Sequence, residues 1–206
     1  MLSAEQVVNL HDRETRAWHQ AEAAEQLSEW LRLVRRQHQA NFALWHIEDE
    51  ARAPGATDAD LADVKRRIDS ANQRRNDLAE ELDRALLAWL ESRGLPNPAA
   101  ELNSESPGLI IDRLSILALK IYHTREEAQR INAPAGHAQR NLERLAILEE
   151  QRRDLAACLD ALWRETLAGT RRFKLYRQLK MYNDPSLNPA IYGNSTRAGE
   201  AKLSGK

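Results

Sequence analysis

The stretch Asn41-Phe42-Ala43-Leu44-Trp45-His46-Ile47-Glu48-Asp49-Glu50-Ala51 has a counterpart 77 positions later, Ala118-Leu119-Lys120-Ile121-Tyr122-His123-Thr124-Arg125-Glu126-Glu127-Ala128. The same ungapped offset pairs Arg75 with Arg152, Asp77-Leu78-Ala79 with Asp154-Leu155-Ala156, and Leu82-Asp83 with Leu159-Asp160. A period of this length suits a helix pair plus its loops. The chain therefore reads as one helical hairpin doubled, over residues 41–90 and 118–167. Doubling predicts an approximate two-fold axis, with equivalent polar groups facing each other beside it.

Composition points the same way. Charged residues make up 30% of the 206 and aromatics 5%, a profile that favours long helices over sheets. The length suits one domain with a real core. A net charge of −1 gives no global field towards nucleic acid or anionic lipid. Cys158 is the sole cysteine, so an internal disulfide is excluded and a reducing compartment is expected. Beside Leu155, Leu159 and Leu162 it reads as a buried packing thiol. The N-terminus has neither the basic nor the apolar region of a signal peptide, and no long apolar run follows. The expectation is a cytoplasmic, bacterial protein with no membrane partner.

Punctuation residues divide the chain. Ser3 with Gln6 opens a first helix, and a second apolar pattern runs from Leu27 to Trp45 and stops near Pro54-Gly55. Thr57 or Asp58 caps the next, whose stripe runs Leu61, Val64, Ile68, Ala71, Arg75, Leu78, Leu82, Ala85, Trp89. Gly94 ends it. Ser106-Pro107 forms an N-cap and first-turn pair for a helix through Ile121, and Pro134 with Gly136 breaks the chain again. A last helix carries Leu145, Leu148, Arg152, Leu155, Leu159, Leu162 and Thr166 to Gly169. No strand pattern competes. The predicted fold is all-α: an up-down four-helix bundle from the duplicated hairpin, with an extra N-terminal helix and a C-terminal docking segment. Residues 1–192 are expected as one helical domain and 193–206 as a disordered tail.

Several strings resemble the bacterial domain of unknown function 4254 family. They are Asn41 through Arg52, Asn72-Gln73-Arg74-Arg75-Asn76-Asp77, and Ser104-Glu105-Ser106-Pro107-Gly108 with Ile111 through Leu117 and Lys120-Ile121-Tyr122-His123. Tyr176 through Pro185 completes the match, which covers the chain to about Tyr192. The resemblance implies a link to bacterial surface-polysaccharide and glycosyltransferase gene clusters. It implies no role for any residue.

Four groups of residues carry chemistry. His46-x-x-Asp49 and His123-x-x-Glu126 each place an imidazole and a carboxylate on one helical face, so the pair of motifs could hold a divalent ion. Imidazole precedes acid here, the reverse of the di-iron motif; Mg²⁺ or Mn²⁺ is the cofactor expected of such a site. The competing reading is a structural polar layer. Glu48, Asp49, Asp77, Glu80 and Asp83 resemble, with altered spacing, the acidic motifs of all-α nucleotide pyrophosphatases, or form a solvated acidic face. Arg75 and Arg152 stand where a stripe would carry Leu, so each needs a carboxylate or a bound anion; Asp49, Glu126 and Asp112 are candidate partners.

The fourth group is the tail. Lys174, Arg177 and Lys180 at spacings of three suggest a basic helical face, with Asn183 and Asp184 able to close over a pocket. Asp112 and Arg113, one turn into the helix after Ser106, could reach a site at the bundle's end or pair locally. Catalytic triads, zinc-finger spacings and nucleotide fingerprints are absent from the sequence. Two functions follow as expectations. One is a non-catalytic binding or interaction module linked to surface-polysaccharide metabolism. The other is a divalent-metal-dependent hydrolase acting on a phosphorylated sugar or nucleotide. A protein partner and a homodimer are both open; composition disfavours nucleic acid.

Overall fold

A computed structural model describes residues 2–20, 26–179 and 186–189. Lys180, Asn183, Asp184 and the tail 193–206 lie outside them. Residues 1–176 form one compact unit and residues 177–206 a second.

The first unit is a helical bundle of α1 (Ala4–Gln20), α2 (Glu29–Glu50), α3 (Asp58–Glu91), α4 (Pro107–Gln129) and α5 (His137–Leu167). Local chemistry sets the limits. The Ser28 hydroxyl accepts from Leu31 N to start α2, and Thr57 forms a reciprocal capping box with Asp60 at α3. Ser106 caps α4 with Pro107 in its first turn. Gly94 and Gly169 sit at φ 70° and 73° just past α3 and α5, where an L side chain would be strained.

Antiparallel contacts join α2 to α3 (Arg67 to Glu50, Arg36 to Glu81), α3 to α4 (Arg75 to Asp112) and α4 to α5 (Arg125 to Glu149). The up-down order expected for the four long helices is therefore present. The first helix is a full member of the bundle. It runs parallel to α2, with Thr15 meeting His38 and His19 meeting His46, and antiparallel to α5, with Ala4 N donating to Asp160. The most apolar helix, α4, packs against α1, α2, α3 and α5. Its buried Ile110, Ile111 and Leu114 share a core with Val7 and Leu10 of α1, Leu82 and Leu86 of α3, and Leu159 and Leu162 of α5.

Gly108 lets α4 approach α3. A Cβ there would lie 2.3 Å from the Ala79 carbonyl oxygen. Across that contact the buried Asp83 carboxylate accepts from Gly108 N at 2.7 Å and from the Ser106 hydroxyl, so one helix caps its neighbour. Burial raises this carboxyl to about 6 against the pull of those two donors.

Three expectations are corrected. Cys158 is exposed: it lies on the solvent-facing side of α5 with Asp154 and Ala157, although Leu159 and Leu162 beside it in sequence are buried. A two-residue parallel bridge, β1 (Glu101–Leu102) with β2 (Arg171–Arg172), exists; it is too short to leave an alternating pattern. Residues 173–179 form no helix, so Lys174 and Arg177 do not share a helical face. The chain leaves Gly169 in the bridge instead, the Arg172 carbonyl accepting from Asn103 N at 2.8 Å, and buries Phe173 in the core.

Candidate functional site

Two polar assemblies occupy the region where α1, α2 and α4 meet. The inner one centres on Asp112. Its carboxylate accepts from Gln37 Nε2 at 2.6 Å, Asn41 Nδ2 at 2.9 Å, Arg75 Nε at 2.8 Å and Arg75 Nη2 at 2.6 Å. Asn41 Nδ2 also donates to the Ser115 hydroxyl at 2.9 Å. His38 continues the chain, its Nδ1 2.7 Å from Ser115 Oγ and its Nε2 3.1 Å from the His11 carbonyl oxygen. A carbonyl can only accept, so Nε2 of His38 carries the proton and Ser115 donates to Nδ1. The Thr15 hydroxyl lies 2.8 Å from the same Nε2. Burial holds the His38 imidazole down at about 3, against the His11 carbonyl, so the ring is neutral at ordinary pH. Charge in this assembly is thus confined to the Arg75–Asp112 pair. All other members are neutral groups that orient it.

Beside His38 lies His11, fully buried, with ring centroids 4.4 Å apart. Neither of its nitrogens has a hydrogen-bond partner. Burial pushes its pKa well below the usual range, and His38 and Arg152 add to that.

The outer assembly is a crowd of aromatic and imidazole rings. His46 and His123, singled out from the repeat, have centroids 6.2 Å apart. Between them comes His19 of α1, 5.4 Å from His46 and 5.1 Å from His123. Tyr122 stacks on His19 at 4.4 Å, Trp45 stacks on His123 at 4.9 Å, and Phe42 leans on His46 at 4.4 Å. Nδ1–H of His19 donates to the Thr15 carbonyl at 2.7 Å, and that of His46 to the Phe42 carbonyl at 2.9 Å. His123 Nδ1 is 2.9 Å from Glu126 Oε2, an acceptor when ionised. All three rings therefore share one tautomer, with the Nε2 lone pair left over. The Nε2 atoms of His19 and His123 are buried without a partner. Burial lowers the His123 pKa; Glu126 opposes this, while His19 and His46 add to it.

The remaining candidates have other partners. Arg152 Nη1 grips both oxygens of Asp12, at 2.7 and 2.8 Å, a carboxylate the spacing did not suggest. Glu48 pairs with Arg52, Glu80 with Arg84, and Arg113 with Glu105, while Asp77 accepts from Gln73. Asp83 accepts from Gly108 N and the Ser106 hydroxyl at the start of α4. Asp49 lines a cavity of about 480 Å³ with Asn41, Trp45, Arg75 and Leu119. His123 lines another of about 410 Å³ with Trp45, Lys120 and Arg144. Lys174 and Arg177 are exposed. Among the described residues no group of three or more His, Cys, Asp or Glu is disposed to hold a metal ion. The structure thus brings His46 and His123 together and keeps Glu126 on His123, but does not gather the four proposed ligands around one point.

Sequence reasoning missed His19, Asp12 and His11. All three lie on α1, outside the repeat that directed attention. The Thr15-to-His19 spacing of four, which lets an imidazole reach a carbonyl one turn back, was the available signal.

A family model described as protein of unknown function (DUF4254) matches residues 31–175. No curated protein and no solved structure matches.

Proposed function

From the premise that this chain belongs to the DUF4254 family, of unknown function, we propose a non-catalytic binding or interaction module, linked to bacterial surface-polysaccharide metabolism and resident in the cytoplasm. The observation that carries the reading is the fate of the two stripe arginines. Both guanidinium groups are taken by the protein's own carboxylates, Arg75 by Asp112 and Arg152 by Asp12. Arg75 is held through Nε and Nη2 at 2.8 and 2.6 Å and Arg152 through Nη1 at 2.7 and 2.8 Å, so each charge already has an internal counter-ion and needs no phosphate to justify its place. Hydrogen-bonded neutral groups complete the inner assembly, the arrangement expected of a layer that fixes helix register. The sequence repeat supports a duplicated hairpin as its origin.

The alternative is a hydrolase using Mg²⁺ or Mn²⁺ on a phosphorylated sugar or nucleotide. One observation favours it: the unpartnered Nε2 atoms of His19 and His123 beside His46. Ligation would require those rings to turn onto a common point.

Calorimetry with Mn²⁺ and Mg²⁺, followed by assays on sugar phosphates and nucleotides with each ion, separates the two. The module reading expects neither saturable metal binding nor turnover. Turnover that a His46→Ala, His123→Ala double variant abolishes would overturn it.

A further inference from the structure

A stripe on the outer flank of α5 is complementary to its own reversed copy. Ile147 stands at its middle, 55% exposed although it is a large aliphatic residue in mid-helix. Helical steps of three, four and seven lead outwards from it to Arg144 and Glu150, Glu143 and Gln151, and Arg140 and Asp154, so all share one face. Each of these side chains is exposed. We infer that this face docks a second copy of the chain, α5 antiparallel to α5, about a two-fold axis level with Ile147. The inference goes beyond the interaction-module reading, naming a partner which that reading leaves open, and does not depend on it.

The mirror order of charge carries the argument. Such an axis sets each residue against the one equally far on the other side of Ile147. Arg140 then meets Asp154, Arg144 meets Glu150, and Glu143 meets the Gln151 amide, each twice per dimer. Isoleucine packs on isoleucine at the centre. Nowhere along the stripe do like charges oppose each other. A parallel pairing would set both arginines against their own copies and both acids likewise, so the order selects the antiparallel one.

Nothing within the chain competes for these charges. Among the described residues Arg140, Glu150 and Asp154 make no ion pair or side-chain hydrogen bond, and Arg144 reaches only the Asn141 amide oxygen, at 3.4 Å. Neighbouring charges on the inner side of α5 are taken up at home, Glu149 by Arg125 and Arg152 by Asp12. Exposed ion pairs contribute little affinity, so here they fix register and orientation. Apolar surface lies alongside. Arg144, Ile147 and Gln151 line a hollow of about 410 Å³ together with Trp45 and Leu148. Gln151 and Asp154 line a second, of about 470 Å³, together with Ile116 and Leu117.

Sedimentation velocity on the whole chain tests the interface. At about 10–100 μM the protein should sediment at twice its 23.5 kDa. Arg144→Glu creates two like-charge pairs and should weaken the dimer about tenfold or more. Adding Glu150→Arg should restore it to within about threefold. Ile147→Cys, beside its own copy at the axis, should give a disulfide-linked dimer under mild oxidation. The unaltered chain should not, because Cys158 would stand about 33 Å from its copy at 1.5 Å rise per residue. A monomer at these concentrations overturns the inference. So does a dimer indifferent to Arg144→Glu, one that the double variant fails to restore, or one that Ile147→Cys does not cross-link. A dimer with metal-dependent turnover would keep this interface and remove the module reading; a monomer with neither metal binding nor turnover would do the reverse.

Discussion

Arg75 and Asp112 face each other through two charge-assisted hydrogen bonds, of 2.8 and 2.6 Å, and Gln37 and Asn41 use the same carboxylate. Removing the acceptor strands three donors at once. Asp112→Ala should cost about 3–5 kcal/mol, whereas Arg75→Met, which leaves Asp112 with two donors, should cost less. Urea denaturation of both variants checks the order. Equal small losses would mean the network is not what holds these helices.

The buried imidazoles set a pH dependence. For His38 the usual value of 6.5 falls to about 3, so its contribution is fully present above pH 6.5 and drains away on acidification. The range amounts to about 5 kcal/mol, and His11 acts in the same direction. Asp83 opposes them: raised from 3.8 to about 6, its contribution is full below 3.8 and lost as pH rises through 6, about 3 kcal/mol in all. The imidazoles win, so melting temperature should fall between pH 6.5 and 4. Asp83→Asn should steepen that fall and His38→Gln should flatten it.

His11 is a fully buried ring beside the His38 imidazole, and neither of its nitrogens has a partner. Replacing it by Leu removes two unsatisfied nitrogens at similar volume. His11→Leu should leave stability unchanged or raise it by about 1 kcal/mol, measured by thermal melting at pH 7. A loss of several kcal/mol would point to a bound water or ion at this ring.

Gly108→Ala should destabilise by about 2 kcal/mol or more, because the new methyl meets the Ala79 backbone carbonyl and the buried Asp83 carboxylate that binds this turn. The same substitution at Gly55, where a Cβ would meet nothing within 4 Å, strains only its φ of 87° and should cost about 1 kcal/mol. Urea midpoints of the two variants separate crowding from backbone strain.

A native-state thiol assay gives a direct check on α5. Cys158 is exposed, so it should react with a disulfide reagent at the rate of the unfolded chain within a few fold. Strong protection would place it in an interface.

Much of the architecture could be read in advance because short punctuating residues carry it. Thr57, Gly94, Ser106-Pro107, Gly136 and Gly169 mark helix limits through caps and positive φ, and these are local effects. His46 and His123 stand out in the sequence for a different reason, the 77-position offset that aligns them, but that offset does not say whether the two rings share a cavity. Arg152's partner was not legible, since Asp12 lies 140 positions away and no local rule couples them. Nor was His19, which a helix outside the repeat inserts between the other two imidazoles. The basic spacing at Lys174 and Arg177 misled because it repeats every three residues, while Arg171 and Arg172 pair with β1 and residues 173–179 form no helix.

The parallel course of α1 beside α2 has a cost for anyone trimming the protein. A chain cut to the span the family shares, 31–175, would begin inside α2 and discard the helix that feeds His38 its carbonyl and Arg152 its counter-ion. The four survivors would be left with a greasy trench where Val7 and Leu10 had lain. Such a fragment should clump or bind hydrophobic dyes, and only the longer polypeptide should behave as a well-folded whole.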